Sequence, residues 1–316
     1  MMNSNRPTRS PSDFATELAL AATPSSFRCG YVALAGRPNA GKSTLFNSLI
    51  GQRLSIVTAK PQTTRGRLLG VLTLPHSQVI LLDTPGILEA HYALHNHMRH
   101  QIVVATKEAD VILLLLDATR PLDRVELVEE FLQNAQAPVL PVLNKTDLVD
   151  AAECDRVAGK MCGEFGFEQL LRVSALNGDN LGILVDNLIN ALPKGPKLYP
   201  EDMVAEQPER FFAAEIIREA AFNELDDELP YAVNVSIEEF AERKSKTYIR
   251  SILYVERESQ RGIVVGKKGS KLREIGRQAR LRLEDFLEHP VYLDLWVRVR
   301  PQWRRRAQDL KEFGYR

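Results

Sequence analysis

Apolar runs of five to eight residues recur through the first two thirds of the chain, at 31–35, 67–73, 78–83, 110–117, 138–144 and 169–174. Between them, apolar residues are spaced three and four apart. Short continuous runs bounded by turn residues predict buried strands, and the wider spacing predicts helices with one apolar face. Their alternation predicts an α/β domain over residues 28–193, with a mixed, mostly parallel sheet covered by helices on both faces. The stretch Pro193-Lys194-Gly195-Pro196-Lys197-Leu198-Tyr199-Pro200 breaks every period, which predicts a linker over 194–209. A different pattern follows. A helix from Arg210 to about Asp226 leads to strands at 231–240 and 247–256, a tight segment from Gly262 to Ser270, a long helix, a strand at 291–300 and a last helix. In the long helix Leu272, Ile275, Ala279, Leu283, Phe286 and Leu287 form the inward stripe. In the strand, Val291, Leu293, Leu295, Val297 and Val299 alternate with Asp294, Arg298 and Arg300, the pattern of a half-buried strand. Residues 210–316 therefore form a second, α+β domain. Residues 1–27 are rich in Ser, Asn, Pro, Thr and Arg and are expected to be a disordered tail.

Candidate chemistry sits where strands end. Gly36-Arg37-Pro38-Asn39-Ala40-Gly41-Lys42-Ser43 fits G-x-x-x-x-G-K-[ST] between a strand and a helix. The glycines let backbone N–H groups turn around a polyphosphate, Lys42 reaches the outer phosphates, and the Ser43 hydroxyl ligates Mg²⁺. Gly36, Asn39, Ala40, Gly41, Lys42, Ser43 and Thr44 are thus the expected phosphate side of a nucleotide site. Asp83, at the end of an apolar strand in Leu82-Asp83-Thr84-Pro85-Gly86, holds the metal shell, and Gly86 turns its N–H toward a γ-phosphate.

Asn144-Lys145-Thr146-Asp147 selects the base. An ionised Asp147 only accepts hydrogen bonds, so it matches guanine N1–H and its 2-amino group; adenine offers neither there. A polar site of this kind rejects the mismatched base by about 10⁴-fold. Ser174, Ala175 and Leu176 follow another strand and present a backbone N–H to guanine O6. The predicted ligand is GTP or GDP with Mg²⁺.

With these motifs in this order the chain resembles the translation-factor-like class of GTPases. Gly-Arg-Pro-Asn-Ala-Gly-Lys-Ser at 36–43 and Pro61-Gln62-Thr63-Thr64-Arg65 are similar to the Era family. The resemblance implies slow GTP hydrolysis, on the order of 10⁻⁴ to 10⁻² s⁻¹ without an activator. It also implies a first switch in which one threonine hydroxyl closes on Mg²⁺. Thr64 is assigned that role, with Thr63 as the competitor. Where Ras-like enzymes carry a water-orienting glutamine, Ile87 and Leu88 stand instead. Asn39 matches a family position that helps coordinate a monovalent cation such as K⁺; the plainer reading is that it supports a tight turn. The expected catalytic set is Lys42, Thr64, Gly86 and Asn39.

Gly266-Lys267-Lys268-Gly269 resembles the G-x-x-G loop of a type II KH domain, in which two glycines allow close approach to a sugar-phosphate backbone and about four single-stranded nucleotides are held. Lys271 opens the helix that follows. Ala214 to Glu219, Glu228 to Tyr231 and Val291 to Val297 again look like Era, so the resemblance runs from about residue 28 to the end. It implies binding of the 3′ end of 16S rRNA, a role in assembly of the small (30S) ribosomal subunit, a monomer in the cytoplasm, and peripheral association with the inner face of the cell membrane. A passive RNA chaperone and a tRNA-modifying GTPase are the alternatives, the second lacking here its usual cysteine near the chain end.

Composition sharpens one point. The 316 residues carry 41 Lys and Arg against 41 Asp and Glu, yet residues 241–316 hold 20 against 10 and the remainder 21 against 31. A basic end on a neutral chain predicts an anion too large for a nucleotide pocket. Three cysteines, Cys29, Cys154 and Cys162, lack metal spacing and read as reduced, in keeping with a cytosolic chain. The longest apolar run, Val111 to Leu116, is far short of a bilayer. His91, His95, His97 and His100 crowd one stretch but belong to the second switch, where metal binding is not expected. Trp303 is expected to pack with an exposed edge, and Arg304, Arg305 and Arg306 to contact phosphates.

Overall fold

The computed structural model describes residues 24–58, 60–120 and 125–315. The expected tail at 1–23 lies outside them. Residues 24–27 do not belong to a tail: Phe27 is 1% exposed and packs with Cys29, Leu69 and Ile80.

The first domain is a six-stranded sheet in the order β2-β3-β1-β4-β5-β6. Its strands are β1 (Arg28–Gly36), β2 (Leu68–Leu74), β3 (Ser77–Asp83), β4 (Val111–Asp117), β5 (Val139–Asn144) and β6 (Leu171–Arg172). All neighbours are parallel except β2, which pairs antiparallel with β3 across a short hairpin. The expected strand at 169–174 is reduced to two ladder residues. The central strands are buried on both faces, which is why β4 reads Val-Ile-Leu-Leu-Leu-Leu without alternation. Leu113 and Leu115 face helices α1 (Lys42–Ile50) and α5 (Leu181–Ala191). Ile112, Leu114 and Leu116 face α3 (Val125–Gln133) and α4 (Ala151–Phe165). Helix α2 (Ala93–Glu108) covers β1 and β3 on that same side through Ala105.

The linker is ordered along one sheet edge. Val71 N donates to Val204 O at 2.8 Å, and Gln78 accepts from Leu198 and Tyr199 N–H through its side-chain oxygen. The prolines at 193–200 stop regular structure without freeing the chain, because buried Gln78 supplies the hydrogen bonds that a ladder would have made.

The second domain has α6 (Glu209–Glu224), a short α7 (Leu229–Ala232), β7 (Asn234–Ala241), β8 (Thr247–Val255), α8 (Glu258–Val265), α9 (Ser270–Leu287), β9 (Val291–Val299) and α10 (Ala307–Glu312). Strands β7 and β8 are antiparallel, and β8 and β9 parallel. Ile216, Ile217, Ile249, Leu253, Ile275, Ala279 and Leu283 form a core between one sheet face and α6 and α9. Two expectations fail here. Residues 231–232 are not strand: Pro230 sits in the first turn of α7, where its missing N–H costs nothing. The tight segment expected from Gly262 begins only at Gly266: residues 262–265 are the end of α8, whose first turn is tied by Gln260 accepting from the N–H groups of Glu256 and Arg257. A four-residue apolar run does not distinguish strand from helix by period alone.

Candidate functional site

Strand β1 delivers the chain to a loop that only glycine can make at two points. At Gly36 (φ 146°) a Cβ would lie 2.5 Å from the Leu115 carbonyl oxygen; at Gly41 (φ 95°) it would lie 2.2 Å from Asn144 Nδ2. Asn39 adopts the left-handed region (φ 66°), a conformation Asn tolerates better than most residues. Lys42, buried at the start of α1, donates to the carbonyls of Gly36 (3.1 Å) and Arg37 (3.0 Å). Burial pulls its pKa down to about 8, opposed by the charge of Asp83. The loop borders a cavity of about 300 Å³ that also meets Thr44, Thr58, Gln62, Gly86 and Lys145.

Three of the expected metal ligands converge. Ser43 Oγ lies 2.7 Å from Asp83 Oδ2 and 2.9 Å from Thr64 Oγ1. Asp83 is fully buried, and burial raises its pKa against the opposing hydroxyls of Ser55 and Ser43 and the charge of Lys42. Its Oδ1 is buried without a hydrogen-bond partner. An orphaned carboxylate oxygen beside two hydroxyls is a hard-oxygen set that suits Mg²⁺. Ser55, which donates to Asp83 Oδ2 at 2.7 Å, was not foreseen, since nothing in its sequence context marks it. Both candidate threonines border the cavity; Thr64 turns its hydroxyl to Ser43, and the Thr63 carbonyl accepts from Arg218 Nη2 at 2.6 Å.

At the base end, Asn144 ties two loops together. Its Nδ2 donates to Ala40 O (2.9 Å), and its Oδ1 accepts from Ala175 N (3.0 Å). Lys145, in a left-handed conformation, pairs with Asp117 at 2.7 Å. Asp147 accepts from Ser174 Oγ at 2.6 Å, which fixes its carboxylate plane. Leu176 is 74% exposed beside them. The Ala175 N–H expected to meet guanine O6 is thus engaged by Asn144 in this structure.

Gly86 packs so closely on the phosphate loop that a Cβ would fall 2.6 Å from Pro38 N, and Ile87 N donates to Gly36 O at 3.0 Å. Ile87 and Leu88 are buried in two separate apolar clusters and send no side chain into the cavity. Gln62 does line it, with its backbone left-handed (φ 61°) and its Oε1 3.2 Å from His95 Nε2. His95 is buried, stacked on Tyr92, and held neutral by burial with a pKa of about 4. His97 meets the Tyr315 ring edge-on. Among the described residues no group of three His, Cys, Asp or Glu is placed to hold a metal.

The segment 53–65 is fastened to the second domain. Lys60 Nζ donates to the Phe222 carbonyl (2.6 Å) and to that of Leu225, where a cation meets unpaired carbonyls at the end of α6. Arg65, buried between the rings of Phe222 and Trp303, donates to the carbonyls of Val233 (2.6 Å) and Tyr231 (3.0 Å). Glu219 accepts from Arg53 (2.6 Å) and from Val57 N (3.1 Å). On the other switch, Trp303 packs with Leu88, Leu94 and Met98 and donates its indole N–H to Ala232 O at 2.9 Å. Trp303 is wholly buried, so the expected exposed edge is absent. Arg304 pairs with Glu256 and lies over the Tyr92 ring at 5.1 Å, which removes it from the arginines expected on phosphates.

The glycine loop lies apart from the nucleotide cavity, on the second domain. Gly266 (φ 70°) and Gly269 (φ 77°) bracket Lys267 and Lys268, both exposed, and Lys268 is itself left-handed. A Cβ on Gly266 would crowd Lys271 at 2.8 Å; Gly269 faces open space. Lys271 Nζ lies 4.0 Å from Asp226. Beyond the loop a cleft of about 450 Å³ runs between α9 and β9, lined by Gly276, Arg273, Arg277, Arg280, Leu293 and Leu295. These arginines recur every three or four residues on one helix face and were legible by that spacing, but only once the helix was known to border an open cleft.

A phosphate-cradling loop before α1 combined with an acceptor-only carboxylate at the base end defines a GTPase. The helix, two strands, glycine loop, helix and strand behind it define a KH fold. Comparison with known proteins agrees and narrows this. Residues 31–145 match the family model described as "50S ribosome-binding GTPase", and residues 228–304 match "KH domain". GTPase Era of Geotalea daltonii is 43% identical over 295 residues, covering 93% of this chain and 99% of that protein. GTPase Era of Geotalea uraniireducens is 44% identical over 296, with the same coverage. Two solved structures superpose over 92% of this chain and 99% of their own. One is a variant of Aquifex aeolicus Era bound to GDP and AlF₄⁻ (41% identity, TM-score 0.86). The other is Era with MgGDPNP and nucleotides 1506–1542 of 16S ribosomal RNA (40%, 0.87). The chain belongs to the Era family and is a GTPase.

Proposed function

We propose that this GTPase is a switch that grips the 3′ end of 16S rRNA through its KH domain and acts in assembly of the 30S subunit. The observation that carries the switch is the double attachment of 53–65: Thr64 bonds Ser43, which is itself bonded to Asp83, while Lys60, Thr63 and Arg65 are bound to α6 and the chain after it. A change in how the nucleotide holds Thr64 is thereby transmitted to the body that bears the glycine loop. The RNA assignment rests on the 16S fragment bound by the related Era and on the exposed Lys267 and Lys268 beside an arginine-lined cleft.

In this reading Lys42 and the loop N–H groups of 36–44 hold the phosphates, with the Lys42 ammonium neutralising charge that develops on them. Ser43, Thr64 and Asp83 hold Mg²⁺, which when bound supplies positive charge at the outer phosphates. Gly86 reports the γ-phosphate through its N–H. Asn144, Asp147, its plane set by Ser174, and Ala175 read guanine, the Ala175 N–H leaving Asn144 for the base. Asn39 joins the catalytic set by helping to hold K⁺, so turnover is faster in KCl than in NaCl. Gly266 to Gly269 and Lys271 hold the RNA backbone. The protein acts as a monomer in the cytoplasm and associates peripherally with the inner membrane face; among the described residues no helix is long and apolar enough to cross a membrane.

The test is titration of an RNA matching the 3′ end of 16S rRNA, with a scrambled control, against protein loaded with a non-hydrolysable GTP analogue or with GDP. Selective binding that is tighter in the triphosphate state is expected. Equal affinity in both states would make the protein a passive RNA binder.

A further inference from the structure

The KH sheet has two faces, and the reading above uses only what lies on one of them. Odd-numbered residues of β8 and β9, among them Ile249, Leu253, Leu293 and Val297, point to the helices and the core. Even-numbered residues point the other way, and Tyr248 is in register with Tyr292, Arg250 with Asp294, and Ile252 with Trp296. This second face bears two of the most exposed aromatic rings among the described residues, Tyr292 at 52% and Trp296 at 57%. Tyr248 and Tyr292 lie parallel, 11° apart with centroids 5.7 Å from each other.

The rings are held in place and rimmed mostly with positive charge, Glu239 lying 3.9 Å from Arg243 and 4.0 Å from Arg250. Asp294 accepts from Trp296 Nε1 (2.8 Å), Tyr248 OH (3.1 Å) and Arg250 Nε (3.1 Å), so one carboxylate orients two rings and a guanidinium. Arg243 lies over the Tyr248 ring at 5.0 Å and Lys246 over Tyr292 at 5.2 Å. Arg298 is exposed two residues beyond Trp296. Flat exposed rings interleaved with cations match the chemistry of single-stranded nucleic acid, in which unstacked bases find π-faces and phosphates find ammonium and guanidinium groups.

The face is also continuous with the glycine-loop cleft. Strand β9 is the free edge of its sheet; Leu293 and Leu295 line the cleft on one side of it, and Tyr292 and Trp296 stand on the other. We propose that the outer face of β8 and β9 is a second single-strand RNA site, in which Tyr292 and Trp296 stack bases, Tyr248 backs Tyr292, and Arg243, Lys246, Arg250 and Arg298 hold phosphates. A strand leaving the cleft reaches it by turning over the edge strand. The site uses none of the loop residues 266–271, so it stands or falls separately from the ribosomal RNA assignment.

The test uses the full chain and a fluorescein-labelled oligouridylate of about 12 nucleotides, long enough to cover such a platform. The chain has two tryptophans, and Trp303 is wholly buried, so quenching of indole emission reports Trp296. Saturable quenching is expected, together with ultraviolet cross-links to β8 and β9 that persist in Gly269→Asp. Tyr292→Ala and Trp296→Ala, both at exposed positions, are each expected to weaken binding to Gly269→Asp protein by about tenfold. Absence of quenching, cross-links confined to 266–271, or unchanged affinity in both alanine variants would overturn the proposal. A failure of 16S selectivity leaves it intact, because oligouridylate carries none of that sequence.

Discussion

The nucleotide site and the RNA cleft differ in how they are built. The first is a buried cradle in which Gly36, Gly41 and Gly86 are each packed within 2.6 Å of where a Cβ would meet a neighbour, and in which Asn144 locks two loops. The second is open: Gly269 meets nothing, Lys267 and Lys268 are exposed, and Arg277 and Arg280 pair with Glu274 and Glu284 on their own helix. A small, uniform ligand rewards pre-organisation, since every misplaced donor costs selectivity. A long flexible polyanion is held by many weak, screened contacts. Mutations should therefore act sharply at one site and gradually at the other.

The largest effect is expected at the base end. Asp147→Asn exchanges an acceptor for an amide and should shift preference from guanine toward xanthine nucleotides by about 10⁴-fold; competition binding with XTP and GTP measures it. Unchanged GTP preference would undo the base assignment. Next, Gly269→Asp places a carboxylate where a phosphate is expected and forces a side chain to φ 77°. Like-charge repulsion and left-handed strain together should weaken binding of the 16S-matching RNA by about 100-fold, while GTP affinity stays as it was.

A pH series tests the buried character of the cradle. Lys42 has its pKa depressed to about 8 by burial, so in the free protein it loses its proton as pH rises through that value. Phosphate binding requires the ammonium form. GTP affinity should therefore fall about tenfold between pH 7 and pH 9, a range above the last phosphate ionisation of the nucleotide. The smallest effect is expected at the join. Lys60→Met removes one fastening of 53–65 to α6 and should reduce the GTP-to-GDP ratio of RNA affinities about fivefold, without altering GTP affinity in the absence of RNA.

The same contrast governs what the sequence disclosed. The cradle is written in contiguous motifs at strand ends, because glycine geometry and metal chemistry admit few residues; 36–44, 83–86, 144–147 and 174–176 come together as expected. The central strands β3 and β4 were legible because fully buried strands need unbroken apolar runs. The join was not legible. Lys60, Arg65, Arg218 and Glu219 read as ordinary charges, and their buried partners are mostly backbone carbonyls that any sequence supplies. Ser55 and Gln62 were missed for a related reason, since their roles come from loop conformation. Helix α8 was hidden by a short apolar run, and the order of the linker by its bonds to the Gln78 side chain and to the backbone of Phe27, Cys29 and Val71.

The central claim is that the segment carrying Thr64 joins nucleotide state to RNA grip. The most direct measurement is the dissociation constant of a non-hydrolysable GTP analogue with and without saturating 16S-matching RNA. Linkage requires RNA to tighten the analogue by the same factor by which the analogue tightens RNA, at least about fivefold for a working switch. Equal dissociation constants in the two conditions would mean that the contacts between 53–65 and α6 hold the domains together without carrying a signal.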